Sequence, residues 1–131
     1  MVTIVSGMIE TTRGPVAIED LKAGDLAIDR GHRAFPIGKI EAAEVSEVLS
    51  FERSPAELGV DSVLLTTFGP RTAGTREDVK KLKPGIFRMT DSNGHMQKDR
   101  WEVKEGARKA FAVYGSQPLQ NIFVNGYNVR C

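Results

Sequence analysis

Two seven-residue segments of this chain follow one pattern. Ile18-Glu19-Asp20-Leu21-Lys22-Ala23-Gly24 and Val79-Lys80-Lys81-Leu82-Lys83-Pro84-Gly85 both read Ile/Val-x-x-Leu-Lys-x-Gly. Each is followed by an apolar strand candidate, 25–28 in the first case and 86–89 in the second. The order of turn, glycine and strand thus recurs after 61 residues. Solenoid repeats have shorter periods. The recurrence therefore predicts two related halves packed about a pseudo-twofold axis.

The rest of the chain alternates short apolar stretches with turn residues. Stretches 2–5, 15–18, 25–29, 45–51, 62–67, 86–90, 100–104, 110–114 and 121–124 are bounded by Gly, Pro, Asn or Asp and read as strands. Between the alternating Trp101-Glu102-Val103 and Phe111-Ala112-Val113, the segment KEGARK predicts a hairpin. Asp91-Ser92-Asn93-Gly94 holds an Asn-Gly pair suited to a type I′ turn, which makes 86–98 a second hairpin. The closing NIFVNGYNVRC reads as strand, tight turn and strand. Helix is confined to 18–21 and 76–82, the latter with Thr75 and Asp78 spaced as in a capping box. The expectation is one compact, mostly β domain over 1–131 with at most two short helices.

Charge and cysteine count remove several classes of partner. Eighteen basic and seventeen acidic side chains leave a net charge of +1, too little to draw the chain to nucleic acid or a membrane surface. The mixed runs DVKKLK and QKDRWEVKEGARK read as solvated faces. One cysteine cannot form an intrachain disulfide, and a Cys-based zinc site needs more ligands. No segment nears the roughly 18 apolar residues of a membrane span. The start, MVTIVSGMIETTRG, has no signal-peptide character. A soluble protein of the cytoplasm or of a virion is expected, with no cofactor and no metal.

The segment IETTRGPVAIEDLKAGDLAI, at 9–28, resembles the opening block of the Hint domain shared by inteins, hedgehog autoprocessing domains and bacterial intein-like proteins. VKKLKPG falls where that family has its second turn, and IFVNGYNVRC is similar to its closing block, F-V-N-G-x-x-V-H-N. Three blocks in the family's order span nearly the whole chain. The resemblance implies a horseshoe-shaped β fold with pseudo-twofold halves, its last strand beside the start of the chain.

The resemblance also implies a chemistry, against which individual positions can be set. Family members cut or swap a peptide bond at their own ends, using an N-terminal Cys or Ser, a Thr-x-x-His block and a final His-Asn. Counted back from Gly14, the nucleophile position falls on Val2, or on Thr3 if the turn is a residue shorter. Valine carries no nucleophile, and threonine is a weak one without a base. Thr66-Thr67-Phe68-Gly69-Pro70 corresponds to the Thr-x-x-His block, with Thr66 kept and Gly69 in place of histidine. Arg130-Cys131 stands where His-Asn would. Arginine stays protonated at neutral pH and cysteine forms no succinimide; the nearest asparagine, Asn128, occupies a different position of the block. Members of such a site act together, so the loss of three leaves no expected catalysis.

Other candidates are weaker. Cys131 is either a reactive thiol able to pair between chains or an idle terminal residue. His32 and His95 lie in Gly-containing loops without metal-ligand spacing. GPRTAGTRE, at 69–77, has the glycines and arginines of a phosphate loop but no P-loop pattern. Asp20, Asp25 and Asp29 are close in sequence, yet the first two are turn residues of the resembled block.

A small chain beginning at its own Met, with no attached domain, suits one component of a larger assembly such as a bacteriophage particle. Protein partners or further copies of the chain are then expected. The alternative is residual self-processing through Thr3 or Cys131.

Overall fold

A computed structural model of the chain describes residues 1–67, 69–72, 85–90, 93 and 95–131, with 85–88 and 90 described by their backbone. Among these residues lie twelve strands, all paired antiparallel: β1 (Val2–Ser6), β2 (Met8–Thr11), β3 (Gly14–Ala17), β4 (Leu26–Ile28), β5 (Ala34–Phe51), β6 (Glu57–Gly59), β7 (Val63–Thr66), β8 (Gly69–Thr72), β9 (Gly85–Thr90), β10 (Met96–Gly115), β11 (Asn121–Val124) and β12 (Tyr127–Arg130). A single 3-10 turn, Ile18–Asp20, occupies the first predicted helix. The second predicted helix at 76–82, its Thr75 cap and the repeat copy from Val79 to Pro84 lie outside the described residues.

The long strands correct two expectations. The strand predicted at 45–51 is the end of an 18-residue β5, and the stretches 100–104 and 110–114 are parts of one 20-residue β10. KEGARK therefore makes no hairpin. Glu105 faces Glu47 and Arg108 faces Val45, so two residues of β10 oppose one of β5 in a bulge, with Gly106 at φ 129°. The glycine that signals a turn is used here to absorb an extra residue within a continuous strand. Strands β2, β6 and β8, at 8–11, 57–59 and 69–72, fall in stretches that the pattern had left unassigned.

Two predicted hairpins are present. β9 pairs with β10 from Thr90 opposite Met96 to Gly85 opposite Trp101, although Asp91, Ser92 and Gly94 of the connecting turn lie outside the described residues. β11 and β12 are joined by Asn125 and Gly126 at φ 48° and 83°, the two positive values a type I′ turn demands.

The pseudo-twofold relation is carried by the strands themselves. Thr11-Thr12-Arg13-Gly14-Pro15 ends β2 and begins β3; Thr66-Thr67-Phe68-Gly69-Pro70 ends β7 and begins β8. In each, the threonine hydroxyl donates to the glycine carbonyl, Thr11 Oγ1 to Gly14 O and Thr66 Oγ1 to Gly69 O, both at 2.7 Å. Both glycines have positive φ, 95° and 88°. The sequence thus contains a second internal repeat, TT-x-GP, that precedes the first in each half. The halves also exchange strands: β1 of the first half pairs with β10, while β6 of the second half pairs with β5. The final hairpin keeps the same relation, with β11 placing Val124 opposite Ile9 of β2 and β12 placing Val129 opposite Leu64 of β7.

The core follows from that exchange. Val2 and Ile4 of β1, Ile9 of β2, Leu49 of β5, Leu58 of β6, Leu64 of β7, Val113 of β10 and Ile122, Val124 and Val129 of the last hairpin form one buried cluster. Every one of these strands alternates inward apolar with outward residues or is covered on both sides. No helix among the described residues is long and apolar enough to cross a membrane.

Candidate functional site

Four segments meet at the start of the chain. Val2 is 1% exposed and sits opposite Val113 of β10, its side chain part of the core. The alternation of β1 then turns Thr3 the other way, where its hydroxyl donates to Met1 Sδ at 3.4 Å. Beside Thr3 lies the end of β6: a Cβ on Gly59 would stand 3.0 Å from Thr3 Cβ, tighter than ordinary contact, so the close approach favours glycine. A turn follows, with Ser62 N donating to Gly59 O at 3.0 Å. Residues 44–47 of β5 complete the walls of a cleft of about 240 Å³.

Ser62 is the unusual member of this group. It is 4% exposed, and its hydroxyl has no hydrogen-bond partner among the described residues. A buried hydroxyl left unpaired costs roughly 1–3 kcal/mol. Nothing in the sequence pattern marked it, because a serine opening the stretch 62–67 reads as an ordinary strand residue.

The end of the chain reaches the same region from the other side. Cys131 lies near enough to the start of the chain for its thiol to feel the positive charge of the N-terminus. Cys131 is 7% exposed; its amide donates to Gln120 O at 3.0 Å and its thiol to the same carbonyl at 3.6 Å. Burial pushes the thiol above its ordinary pKa, and the positive N-terminus offsets only part of that. Arg130 is occupied laterally, its Nε donating to Asn121 Oδ1 at 3.4 Å.

The structure thus brings Val2, Thr3 and Cys131 into one neighbourhood and leaves Thr66 and Gly69 out of it. These two sit at the far end of β7, roughly 13 Å of extended chain from Ser62. Thr66 is 8% exposed and bonded to Gly69 within the hairpin that matches the one at Thr11 and Gly14. The TT-x-GP repeat was the available signal: it pairs 66–70 with 11–15 as a turn, and leaves the preceding residues, 59–62, to face the start of the chain. His32 and His95 do not line the cleft. Asp25 is a turn residue, its Oδ2 accepting from Lys22 N and from Arg13, both at 2.9 Å, and Asp29 caps its own turn through Gly31 N and Arg33 N. Among the described residues no group of His, Cys, Asp and Glu has the geometry to hold a metal ion.

A second polar cluster was not foreseen. Asp99 on β10, 2% exposed, accepts from Arg100 N at 2.7 Å, from Arg53 N at 3.1 Å and from the Tyr127 hydroxyl at 2.5 Å. Burial, reinforced by this carboxylate, drives the phenol of Tyr127 well above its ordinary pKa. The Tyr127 ring meets Phe51 edge-on at 5.4 Å. One carboxylate therefore ties the last hairpin to β10 and to the loop that follows β5.

No family model and no curated protein sequence matches the chain. Solved structures do, over its whole length. The gp41-1 intein superposes with a TM-score of 0.74 at 13% identity, covering 99% of this chain and 98% of the intein. A bacterial intein-like domain from Clostridium thermocellum gives 0.72 at 22% identity, covering 99% and 97%. A DnaB intein from Synechocystis sp. PCC 6803 gives 0.65 at 16% identity, covering 98% of each. At these identities the likeness is one of fold. The protein has the mostly β Hint fold of inteins and intein-like domains.

Proposed function

We propose that this protein is a non-catalytic interaction module on a Hint scaffold, a subunit of a larger assembly such as a bacteriophage particle. The observation that carries the proposal is the condition of Cys131. Thiol chemistry proceeds through the thiolate, and burial at this position disfavours that form. The other end offers no substitute: Val2 is a core side chain, and the Thr3 hydroxyl faces a methionine sulfur instead of a base. The turn that faces the start of the chain presents Gly59, Asp61 and Ser62; its one proton-transferring group is the Asp61 carboxylate, and no imidazole lines the cleft. A self-processing site needs an activated nucleophile and a proton donor together, and among the described residues neither chain end supplies that pair.

The deciding measurement is the intact mass of the chain carrying short peptides on both ends, with and without added thiol. The full tagged mass is expected in both conditions. Loss of either tag would instead establish residual self-processing, and the product mass would assign it to the Thr3 end or the Cys131 end. If the tags persist, light scattering on native material is expected to show a defined oligomer or a stable complex with a protein partner. A strictly monomeric, partnerless protein overturns the assembly reading.

A further inference from the structure

The cleft beside Thr3 has a property that the absence of self-processing does not explain. Residues 44, 45, 46 and 47 all line it. Successive residues of a strand point to opposite faces, so four in a row can border one cavity only along the strand's edge. β5 indeed pairs with β4 over 34–36 and with β6 over 48–50, and among the described residues no strand covers that edge between. Among the described residues, the cleft is thus the place where β6 stops and an uncovered stretch of the β5 edge begins.

We propose that this cleft receives an extended segment of a partner protein, added to the edge of β5, with a lysine or arginine of that segment seated between Glu44 and Asp61. Three observations support the assignment, which takes the interaction-module reading as its starting point. Unpaired backbone groups on a strand edge recruit another strand, and extended peptides bind other domains this way. The lining carries the carboxylates of Glu44 and Asp61 and, apart from the α-amino group of Met1, no cationic group, which favours a cationic occupant over an acidic one. Neither Glu44 nor Asp61 has an ion pair among the described residues. Finally, the buried Ser62 hydroxyl lacks a partner. Charges on a free edge also serve to keep copies of a chain apart, but that role has no use for an unsatisfied hydroxyl in the wall. Shielded from water in the free protein, that hydroxyl gains a main-chain partner only if the turn at 59–62 gives way to the incoming strand.

The test is a selection of random heptapeptides displayed on phage against the folded protein, with counter-selection on Asp61→Lys. Asp61 is exposed in a turn, so this variant folds as the parent does. Enriched sequences are expected to carry Lys or Arg at alternate positions. As synthetic peptides they should bind about five- to tenfold more weakly to Asp61→Lys, and more weakly as salt is raised. Amide exchange at 45 and 47, whose N–H groups alternation turns away from β10, should also slow on binding. Failure to enrich over the counter-selection overturns the proposal, as does enrichment of acidic or purely apolar sequences. Binding equal in the parent and Asp61→Lys has the same force. A concentration-dependent dimer abolished by Asp61→Lys would assign the edge to a second copy of the chain and likewise overturn it. None of these results bears on the tagged mass, so this proposal can fail while the non-catalytic reading stands.

Discussion

Asp99 and Tyr127 show what a single buried pair contributes. The carboxylate has left water and is held by two backbone amides and one phenol. Removing the phenolic hydroxyl leaves a charged acceptor one donor short, which costs more than the loss of a neutral bond. Tyr127→Phe should therefore destabilise the fold by about 2 kcal/mol, measured by urea unfolding. The pair also sets a pH dependence. The folded pKa of Tyr127 is raised, first by burial and then by Asp99. The folded state therefore keeps a proton that the unfolded chain releases from about pH 10 upward. The stabilisation is complete below that pH and declines as pH rises above it. Tyr127→Phe should lose this alkaline decline; an identical decline in parent and variant would assign it to other groups.

At the scale of elements, the two TT-x-GP hairpins make a matched experiment. Thr11 and Thr66 are both buried, and each donates at the same distance to the glycine carbonyl three residues on. Replacing either by valine keeps the shape and removes the bond, for about 1 kcal/mol each. Nearly equal losses are expected for Thr11→Val and Thr66→Val. A loss confined to Thr66→Val would indicate a role for that hydroxyl beyond its turn. The same hairpins show how far the sequence could be read. Periodicity and turn residues located eight of the strands, the terminal hairpin and the twofold character, because Asn125-Gly126 and the Leu21-Lys22-Ala23-Gly24 turn impose local geometry. They mislocated the break in β10, because a glycine in a bulge and a glycine in a turn look alike without the partner strand. The resemblance, for its part, placed Thr66 and Gly69 with the chain ends. That placement followed a spacing of threonine and proline along the chain, whereas proximity to Thr3 is decided by the pairing of β6 with β1. Ser62 had no local signal at all; its significance lies in being buried without a partner, a property of the assembled fold.

At the scale of the molecule, the exchange of strands decides how the protein comes apart. β1 belongs by sequence to the first half but lies on β10 of the second, and β6 of the second half lies on β5 of the first. β5 and β10 then pair with each other along most of their length, from Trp101 opposite Phe51 to Gly115 opposite Ile37. Neither half can open while the other stays closed, since each would strip the long strand of the other of a neighbour and expose its edge. Native-state amide exchange should accordingly report one opening free energy for the protected amides of β1, β5, β6 and β10, equal to the global unfolding value from urea. The argument is specific to the exchange: two halves merely docked against one another would open separately, as domains joined by a contact surface do. A protected set in 1–28 that exchanges at least about 2 kcal/mol below a set in 96–115 would show that docking. The pseudo-twofold would then describe two units packed together. A common value makes it one cooperative sheet, in which the proposed docking edge of β5 belongs to a scaffold that stays folded as a whole.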